Sequence, residues 1–236
     1  MMSSREIISF KYEDLLGLKE QFEKFAKINV RKMPKRYENL IPETRELIRN
    51  NVVISGVIQT VNIKEKADDA VILATDDTII GNMVPNILKD SSDVIFAVVS
   101  LKGFTELAKS IPEGEMMKAF LIDAWGSALV ETAQDLLYIQ LKERLLKEGK
   151  KPTYMWSPGQ HNFNIENQKP IFNILKPGDI GVELDSSYVM KPIKSASCMM
   201  GVVNKEIKDN LMPCSFCELK ERCPSFNSSQ SIPIHC

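Results

Sequence analysis

The chain has 236 residues, with 30 basic and 31 acidic side chains, and 44% of its residues are hydrophobic. This length can bury a sizeable core, as one large domain or two small ones. The balanced charge gives no electrostatic reason to expect nucleic acid or an anionic membrane as a partner. No apolar run approaches the roughly 20 residues of a membrane-spanning helix, and charged side chains interrupt the N-terminal segment where a signal peptide needs an apolar region. We therefore expect a cytoplasmic protein.

The first 50 residues are predicted to be helical. Apolar side chains recur at helical spacing in EDLLGLKEQFEKFAKIN, which predicts one helix. The segment IPETRELIRNN predicts a second helix, because Pro42 suits the first helical position and the two asparagines suit its end.

The chain then changes to strands. The β-branched run 52–63 predicts a strand, and NMVPNILKD predicts a short helix after a loop. Residues 93–103 form a continuous apolar run that ends in Gly103. Such a run predicts a strand that is buried on both faces.

The strongest helical signal covers residues 112–150 and predicts a helix of about 35 residues, roughly 50 Å long. Its first half is apolar nearly all round, which indicates burial. Asp123, Ser127 and Glu131 are spaced i, i+4, i+8 and therefore form one polar stripe. Two interpretations are open: the stripe faces solvent, or its carboxylates are buried and need a partner such as a cationic small ligand. In the second case Gly126 marks a place where something packs closely against the helix.

The last part of the fold is predicted as a helix within ENQKPIFNILKPG, ended by Pro177 and Gly178, followed by two or more strands in residues 180–204. This irregular order of helices and strands favours an α+β domain. No dinucleotide-binding fingerprint, P-loop or nucleophile elbow is present in the sequence. A nucleophile relay that uses histidine could be built only around His161.

Four of the five cysteines lie in the last 23 residues: Cys214, Cys217, Cys223 and Cys236. In a cytosolic chain this C-x2-C-x5-C pattern predicts a metal site rather than disulfides. The spacing suits an iron–sulfur cluster or zinc, and free thiols are a third alternative. Cys236 is the expected fourth ligand, with His235 as its competitor. The predicted organisation is one α+β domain, residues 1–204, and a cysteine-rich tail, residues 205–236.

Three motifs carry a family resemblance: DAWGSALVE, SPG and GVELDSSYVMKPIKSAS. In this order they resemble the activation domain of cobalamin-dependent methionine synthase, and more closely the stand-alone activation-domain-like proteins of anaerobes. That family has a glutamate on a long helix, an Arg-x-x-Pro-Gly-Tyr loop and a downstream GVxLTxSYxMxPxxSVSG motif. The resemblance covers residues 90–203 and implies an α+β fold with an antiparallel or mixed sheet and a long buried helix.

The resemblance also implies a function. The family binds S-adenosylmethionine and presents it to a corrinoid protein whose cobalt has slipped to inactive Co(II), so that reductive methylation restores methylcobalamin. The implied partners are a corrinoid protein or cobalamin-dependent methyltransferase, which carries the cobalamin, and an electron-donor protein as a further candidate. The chemistry is of the methyltransferase type, and whether this chain is itself an enzyme stays open. Because the reaction needs an electron, the resemblance favours iron–sulfur over zinc in the tail.

The ligand site implied by the resemblance combines a carboxylate, a loop and an aromatic residue. Glu131 matches the ligand-facing glutamate, and carboxylates and aromatic faces suit a sulfonium and an ammonium group. Such a site works by orienting a methyl donor, while the corrinoid carries the hard chemistry. The predicted ligand-binding residues are Asp123, Glu131, Ser157, Pro158, Gly159, Gln160, Ser187 and Tyr188.

The chain departs from the family pattern at three positions. Met155 stands at the arginine position of the loop, and Gln160 stands at its tyrosine position. Lys191 or Lys194 is a candidate to replace the missing positive charge. Cys198 occupies the glycine position after the Ser-x-Ser pair, where it suits a small buried side chain. Met155 and Gln160 support an alternative: a non-enzymatic module that docks on a corrinoid protein, or a structural metal-binding protein, without S-adenosylmethionine binding.

Overall fold

The structure is a computed structural model, and it describes residues 4–27, 34–160, 162–204, 212–216 and 220–222. The strands, in chain order, are β1 (Glu6–Phe10), β2 (Val53–Lys66), β3 (Ala70–Leu73), β4 (Thr78–Ile80), β5 (Asp93–Lys102), β6 (Lys151–Pro152), β7 (Glu183–Leu184), β8 (Met190–Lys191) and β9 (Ser195–Val203). The helices are α1 (Leu18–Ala26), α2 (Lys35–Glu38), α3 (Leu40–Asn51), α4 (Val84–Ile87), α5 (Phe104–Ser110), α6 (Met116–Lys147) and α7 (Gln168–Leu175).

An antiparallel sheet forms the middle of the molecule. Its strand order is β4-β3-β2-β5-β9-β6, and β7 and β8 form a separate hairpin. β2 has 14 residues, so one of its edges pairs with β5 while the other edge pairs with β1 near one end and with β3 near the other end. The combination of an antiparallel sheet with packed helices agrees with the predicted α+β class.

β5 is buried on both faces, as its apolar run predicts. Ile95 and Ala97 belong to the hydrophobic core on one face, whereas Phe96 and Val98 belong to the core on the opposite face. Successive side chains of a strand point to opposite faces, so a strand between two cores is apolar on both faces along most of its length. The first core, which contains side chains of α1, α5 and α6, is called core A here, and the second, which contains side chains of α4 and α7, is called core B.

α6 packs against α1 and α3, and 15 of its 32 residues are buried. The ring of Trp125 stacks on Phe22 of α1 at a centroid distance of 3.8 Å. The indole N–H of Trp125 donates to Thr44 Oγ1 of α3 at 3.2 Å. These contacts fix the rotation of α6 and therefore decide which of its faces is left for a ligand. Within the described ranges, no helix combines the length and the apolar character needed to span a membrane.

The sequence prediction is wrong for two parts of the sheet. Residues 6–10 form strand β1, although the first 50 residues were predicted to be helical. The β3–β4 hairpin lies in a segment that was predicted to be a loop. β1 and β4 are edge strands of five and three residues, and such short segments carry little periodicity of their own. Their pairing with β2 and β3 therefore makes them strands.

α5 was not predicted, and it depends on the glycine that precedes it. Gly103 has φ +87°, and a Cβ there would overlap the carbonyl oxygen of Asn51. Only glycine combines this left-handed conformation with such a close approach. The tight turn lets α5 follow β5 directly and brings Phe104 against α6.

Candidate functional site

A cavity of about 290 Å³ opens beside the polar face of α6. Its walls come from α6, the 157–160 loop, the first residue of α7 and the segment from β8 to the start of β9, with Phe25 of α1 at one side. This volume lies near the lower end of the range for small-molecule sites, roughly 300–1,000 Å³. The walls carry both charged and neutral polar side chains, so the cavity has the composition of a binding site for a polar ligand.

The α6 wall is one helical face. Ser127, Val130, Glu131 and Gln134 line the cavity at spacings of three and four residues, which places them on one side of the helix. Ser127 and Glu131 are two members of the stripe that the sequence predicted. Asp123, the third member, does not line the cavity and instead pairs with Lys194 one turn earlier.

Lys194 supplies a positive charge to the cavity wall. Its Nζ lies 2.8 Å from Asp123 Oδ1 and donates to Ser127 Oγ at 2.8 Å. The ammonium also lies 5.7 Å from the ring centroid of Phe104, and the side chain is only 14% exposed. Lys191, the other lysine that the sequence offered, pairs with Asp185 at 3.7 Å and stays largely exposed. Of the two lysines, Lys194 is therefore the one that lines the cavity.

Gly126 is the point of closest packing on α6. A Cβ at this position would lie 2.7 Å from Cζ of Phe104 and closer still to the neighbouring ring carbon. The sequence predicted that Gly126 marks a close approach, and the group that approaches is the Phe104 ring. Because that ring also contacts Lys194, Gly126 helps to set where the lysine charge lies.

The segment before the loop explains why Met155 does not contribute to the cavity. Trp156 and Met199 exchange two backbone hydrogen bonds, at 2.9 and 2.8 Å, so the backbone at Trp156 pairs with β9. The Met155 side chain points into core A, where its sulfur contacts Cys198 Sγ at 3.5 Å, while Trp156 points into core B. Cys198 is fully buried, and burial raises the pKa of its thiol to about 12. The thiol therefore behaves as a small apolar side chain rather than as a nucleophile.

The loop turns at Pro158 and Gly159. Gly159 has φ +85°, its N–H donates to the carbonyl of Phe163 at 2.7 Å, and a Cβ there would lie 2.9 Å from Ile165 Cδ1. The turn points Ser157, Pro158 and Gln160 toward the cavity, whereas Gly159 does not line it. Glycine is required at the turn to shape the loop, and the neighbouring residues make the wall.

Ser187 and Tyr188 do not line the cavity. They form the turn between β7 and β8, in which the Asp185 carboxylate accepts the N–H groups of Ser187 at 2.9 Å and Val189 at 3.0 Å. These two hydrogen bonds, with a smaller effect of the Lys191 charge, hold the pKa of Asp185 below its usual value. The segment that the same motif places next, residues 193–197, does line the cavity. The part of the motif GVELDSSYVMKPIKSAS that contributes to the cavity wall is therefore its second half.

Three neutral polar residues of the inner wall were missed by the sequence analysis. Ser197 Oγ donates to Gln168 Oε1 at 2.9 Å, and both residues are buried. Gln134 is only 4% exposed and also lines the cavity. A local signal existed for Gln134, since it lies three residues after Glu131 and therefore on the same side of α6. Nothing local indicated Gln168, which α7 brings across from a distant part of the chain.

Of the predicted metal ligands, the structure describes Cys214 alone. Cys214 is 2% exposed and disulfide-bonded, and a thiol in a disulfide is not a thiolate ligand. Cys217, Cys223 and Cys236 lie outside the described residues, as does His161. Among the residues that are described, no group of three or more histidine, cysteine, aspartate or glutamate side chains could hold a metal ion. The metal site and the boundary between residues 1–204 and 205–236 both stay predictions.

A short part of the tail packs on the domain. The Phe216 ring lies 5.9 Å from the ring of Trp156, measured between centroids, and Phe216 contacts core B. Pro213 and Cys214 are buried as well. Phe216 therefore lies against Trp156, the residue that precedes the cavity loop.

Comparison with solved structures finds a similar fold in a crystal structure of the MetH reactivation domain bound to AdoHcy. The match has a TM-score of 0.62 and covers 89% of this chain and 81% of that chain, at 12% sequence identity. No family model matches the sequence, and a search of curated proteins finds no match. The structural match shows a common fold and agrees with the fold that the sequence motifs imply.

Proposed function

We propose that the chain binds S-adenosylmethionine in the α6 cavity and supports reductive methylation of a corrinoid protein. The observation that carries the proposal is the meeting of three segments that are far apart in the sequence. Glu131, the 157–160 loop and residues 193–197 all line one cavity, and each belongs to a motif of the resemblance. The similar fold of a domain that was crystallised with AdoHcy supports a ligand of the adenosyl class.

The charges of the cavity suit the charges of this ligand. S-adenosylmethionine carries a sulfonium, an ammonium and a carboxylate. Glu131 is the carboxylate that would face the positive groups, and Lys194 would face the ligand carboxylate. Ser127 and Gln134 are seven residues apart on α6, or roughly 10 Å along the helix axis. The α6 wall is therefore long enough to contact both ends of an extended small ligand.

The residues of the site would act by binding and orientation. Among the described side chains that line the cavity, none is a histidine or a cysteine, and the methyl donor needs only to be held toward its acceptor. A corrinoid on a partner protein would supply the cobalt chemistry. Ile193 lines the cavity and is 73% exposed, which offers an apolar contact for such a partner at the entrance. An electron-donor protein remains a further proposed partner.

Calorimetric titration tests ligand binding directly. We expect saturable heat with S-adenosylmethionine and with S-adenosylhomocysteine at or below millimolar concentration, about −4 kcal/mol or better. Methionine and adenosine, titrated separately, are the controls and should bind much more weakly because each reaches only part of the wall. A folded protein that gives no heat with millimolar adenosyl ligand would exclude the proposed site.

A docking module without ligand binding is the second candidate, and the orientation of Met155 favours it. Since Met155 points into core A, the loop offers no positive charge where the related family has arginine. The two candidates differ in the visible spectrum of a Co(II) corrinoid protein mixed with this chain, S-adenosylmethionine and a reductant. Formation of the methylcobalt spectrum supports the first candidate. A stable complex with the corrinoid protein, but no ligand binding and no spectral change, supports the second.

The tail carries a separate proposal, an oxygen-sensitive iron–sulfur cluster held by Cys214, Cys217, Cys223 and Cys236, with zinc as the alternative. Since Cys214 is disulfide-bonded in the structure, ligation requires its reduction. Protein purified anaerobically with a reductant should then absorb broadly near about 400 nm. Cys217→Ala should abolish this absorption, whereas Cys236→Ala should only loosen the cluster. Colourless protein with one equivalent of zinc would refute the cluster, and metal-free protein with an intact disulfide would refute both metals.

A further inference from the structure

Gln134 is a buried polar side chain whose hydrogen-bonding groups face the cavity. The residue is 4% exposed, and its side chain lines the cavity one helical turn beyond Glu131. Among the described residues no hydrogen bond of its amide is found, and its amide atoms are not among the fully buried side-chain atoms that lack a partner, so the amide is open to the cavity. The nearby Gln168 differs, because its carbonyl oxygen accepts a hydrogen bond from Ser197 at 2.9 Å.

An amide that faces a cavity keeps its hydrogen-bonding capacity for whatever fills that cavity, which is water when no ligand is bound. A ligand group that replaces this water must reproduce its hydrogen bonds, or affinity is lost. A neutral group with a donor and an acceptor side by side does so, because the amide offers an NH2 donor beside a carbonyl acceptor.

The position of Gln134 separates it from the charged end of the cavity. Lys194, with its contacts to Asp123 and Ser127, lies at the start of the α6 wall, and Glu131 follows. Gln134 lies farthest along this wall, seven residues and roughly 10 Å beyond Ser127. A ligand with an amino acid at one end and a base at the other would place its charged end at Lys194 and Glu131. Its neutral end would then reach Gln134.

We propose that Gln134 is a specificity-determining residue that hydrogen-bonds the edge of the adenine base. The amino group of adenine donates, and an adjacent ring nitrogen accepts, so a glutamine amide can pair with both at once. This inference rests on the proposed binding of an adenosyl ligand. It adds to that proposal that the adenine base of the ligand binds at the Gln134 end of the cavity.

A double-mutant cycle between protein and ligand tests the contact. The two ligands are S-adenosylhomocysteine and its analogue in which hydrogen replaces the purine amino group. The two proteins are the wild type and Gln134→Met, which keeps the length of the side chain but has no amide. Wild-type protein should bind S-adenosylhomocysteine about fivefold to tenfold more tightly than the analogue. Gln134→Met should bind the two ligands within about twofold of each other, because its side chain offers no hydrogen bond to the base.

The controls separate this inference from the proposed function. Glu131→Gln should weaken both ligands equally and keep the wild-type ratio. Gln134→Asn, which withdraws the amide by one methylene, should also lose the ratio, and it decides the question if Gln134→Met does not fold. A wild-type protein that binds neither ligand overturns the proposed function and this inference together. Two results would overturn the role of Gln134 alone. In the first, the Gln134 variants keep the wild-type ratio of affinities for the two ligands. In the second, the variants lose affinity although the wild type does not prefer S-adenosylhomocysteine to its analogue.

Discussion

Glutamine in place of Glu131 is expected to weaken binding of S-adenosylmethionine by about 1.5–3 kcal/mol, or roughly tenfold to 150-fold. Glu131 lines the cavity in the middle of the α6 wall, between Ser127 and Gln134. The substitution keeps the size of the side chain but removes its charge and turns one acceptor oxygen into an NH2 donor, so the loss reports the carboxylate as a whole. Calorimetry with S-adenosylmethionine and with its uncharged-sulfur product, S-adenosylhomocysteine, measures how much of the effect comes from the sulfonium.

Asp123→Asn is the matched control for this charge. It removes a carboxylate from the same face of α6, but Asp123 does not line the cavity and its carboxylate contacts Lys194. Its effect on affinity should therefore be smaller than that of Glu131→Gln. Asp123→Asn also leaves Lys194 its hydrogen bond to Ser127, so the lysine should stay at the wall. Equal affinities of Glu131→Gln and the wild type would place Glu131 outside the site.

Alanine in place of Gly126 is expected to destabilise the protein by about 2 kcal/mol, which lowers the midpoint of thermal unfolding by roughly 4–8 °C. Alanine is favoured over glycine within a helix by about 1 kcal/mol, but its methyl group would overlap the Phe104 ring. Phe104 is 3% exposed and has little room to retreat. The steric cost should therefore exceed the gain in helix propensity, and thermal unfolding followed by circular dichroism measures the difference.

A second substitution, Phe104→Leu, tests whether overlap with the Phe104 ring causes the loss of stability in Gly126→Ala. A smaller side chain leaves space for the methyl group, so Gly126→Ala should be less destabilising in the Phe104→Leu background than in the wild type. Gly114→Ala is a control for the loss of a glycine, since no atom lies within 4 Å of the Cβ position at Gly114. A wild-type unfolding temperature for Gly126→Ala would show that the steric cost at Phe104 is no larger than the gain in helix propensity, about 1 kcal/mol. Displacement of the ring should also move Lys194, so Gly126→Ala should weaken binding of S-adenosylmethionine in the same preparation.

Parts of the fold were predictable because their signals are local. The buried strand β5 follows from an unbroken apolar run, and the stripe on α6 follows from spacings of four residues. The segments that form β1, β3 and β4 have no comparable signal, because they are short and become strands by pairing with longer neighbours. The turn at Ser187 and Tyr188 was expected on a strand, and the Asp185 carboxylate holds it as a turn instead.

The sequence by itself determined the α+β class and the polar stripe of α6, of which Ser127 and Glu131 line the cavity. Both depend on residue type and spacing within segments, which the chain carries before it folds. The loop that faces the stripe was expected only from the family resemblance. Only the tertiary structure decided that Asp123 pairs with Lys194, that Met155 points into the core and that Gln134 and Gln168 meet at the inner wall. These outcomes depend on the rotation of α6 about its axis and on the face of the sheet on which each side chain packs. Packing between distant segments sets both, and no local pattern encodes them.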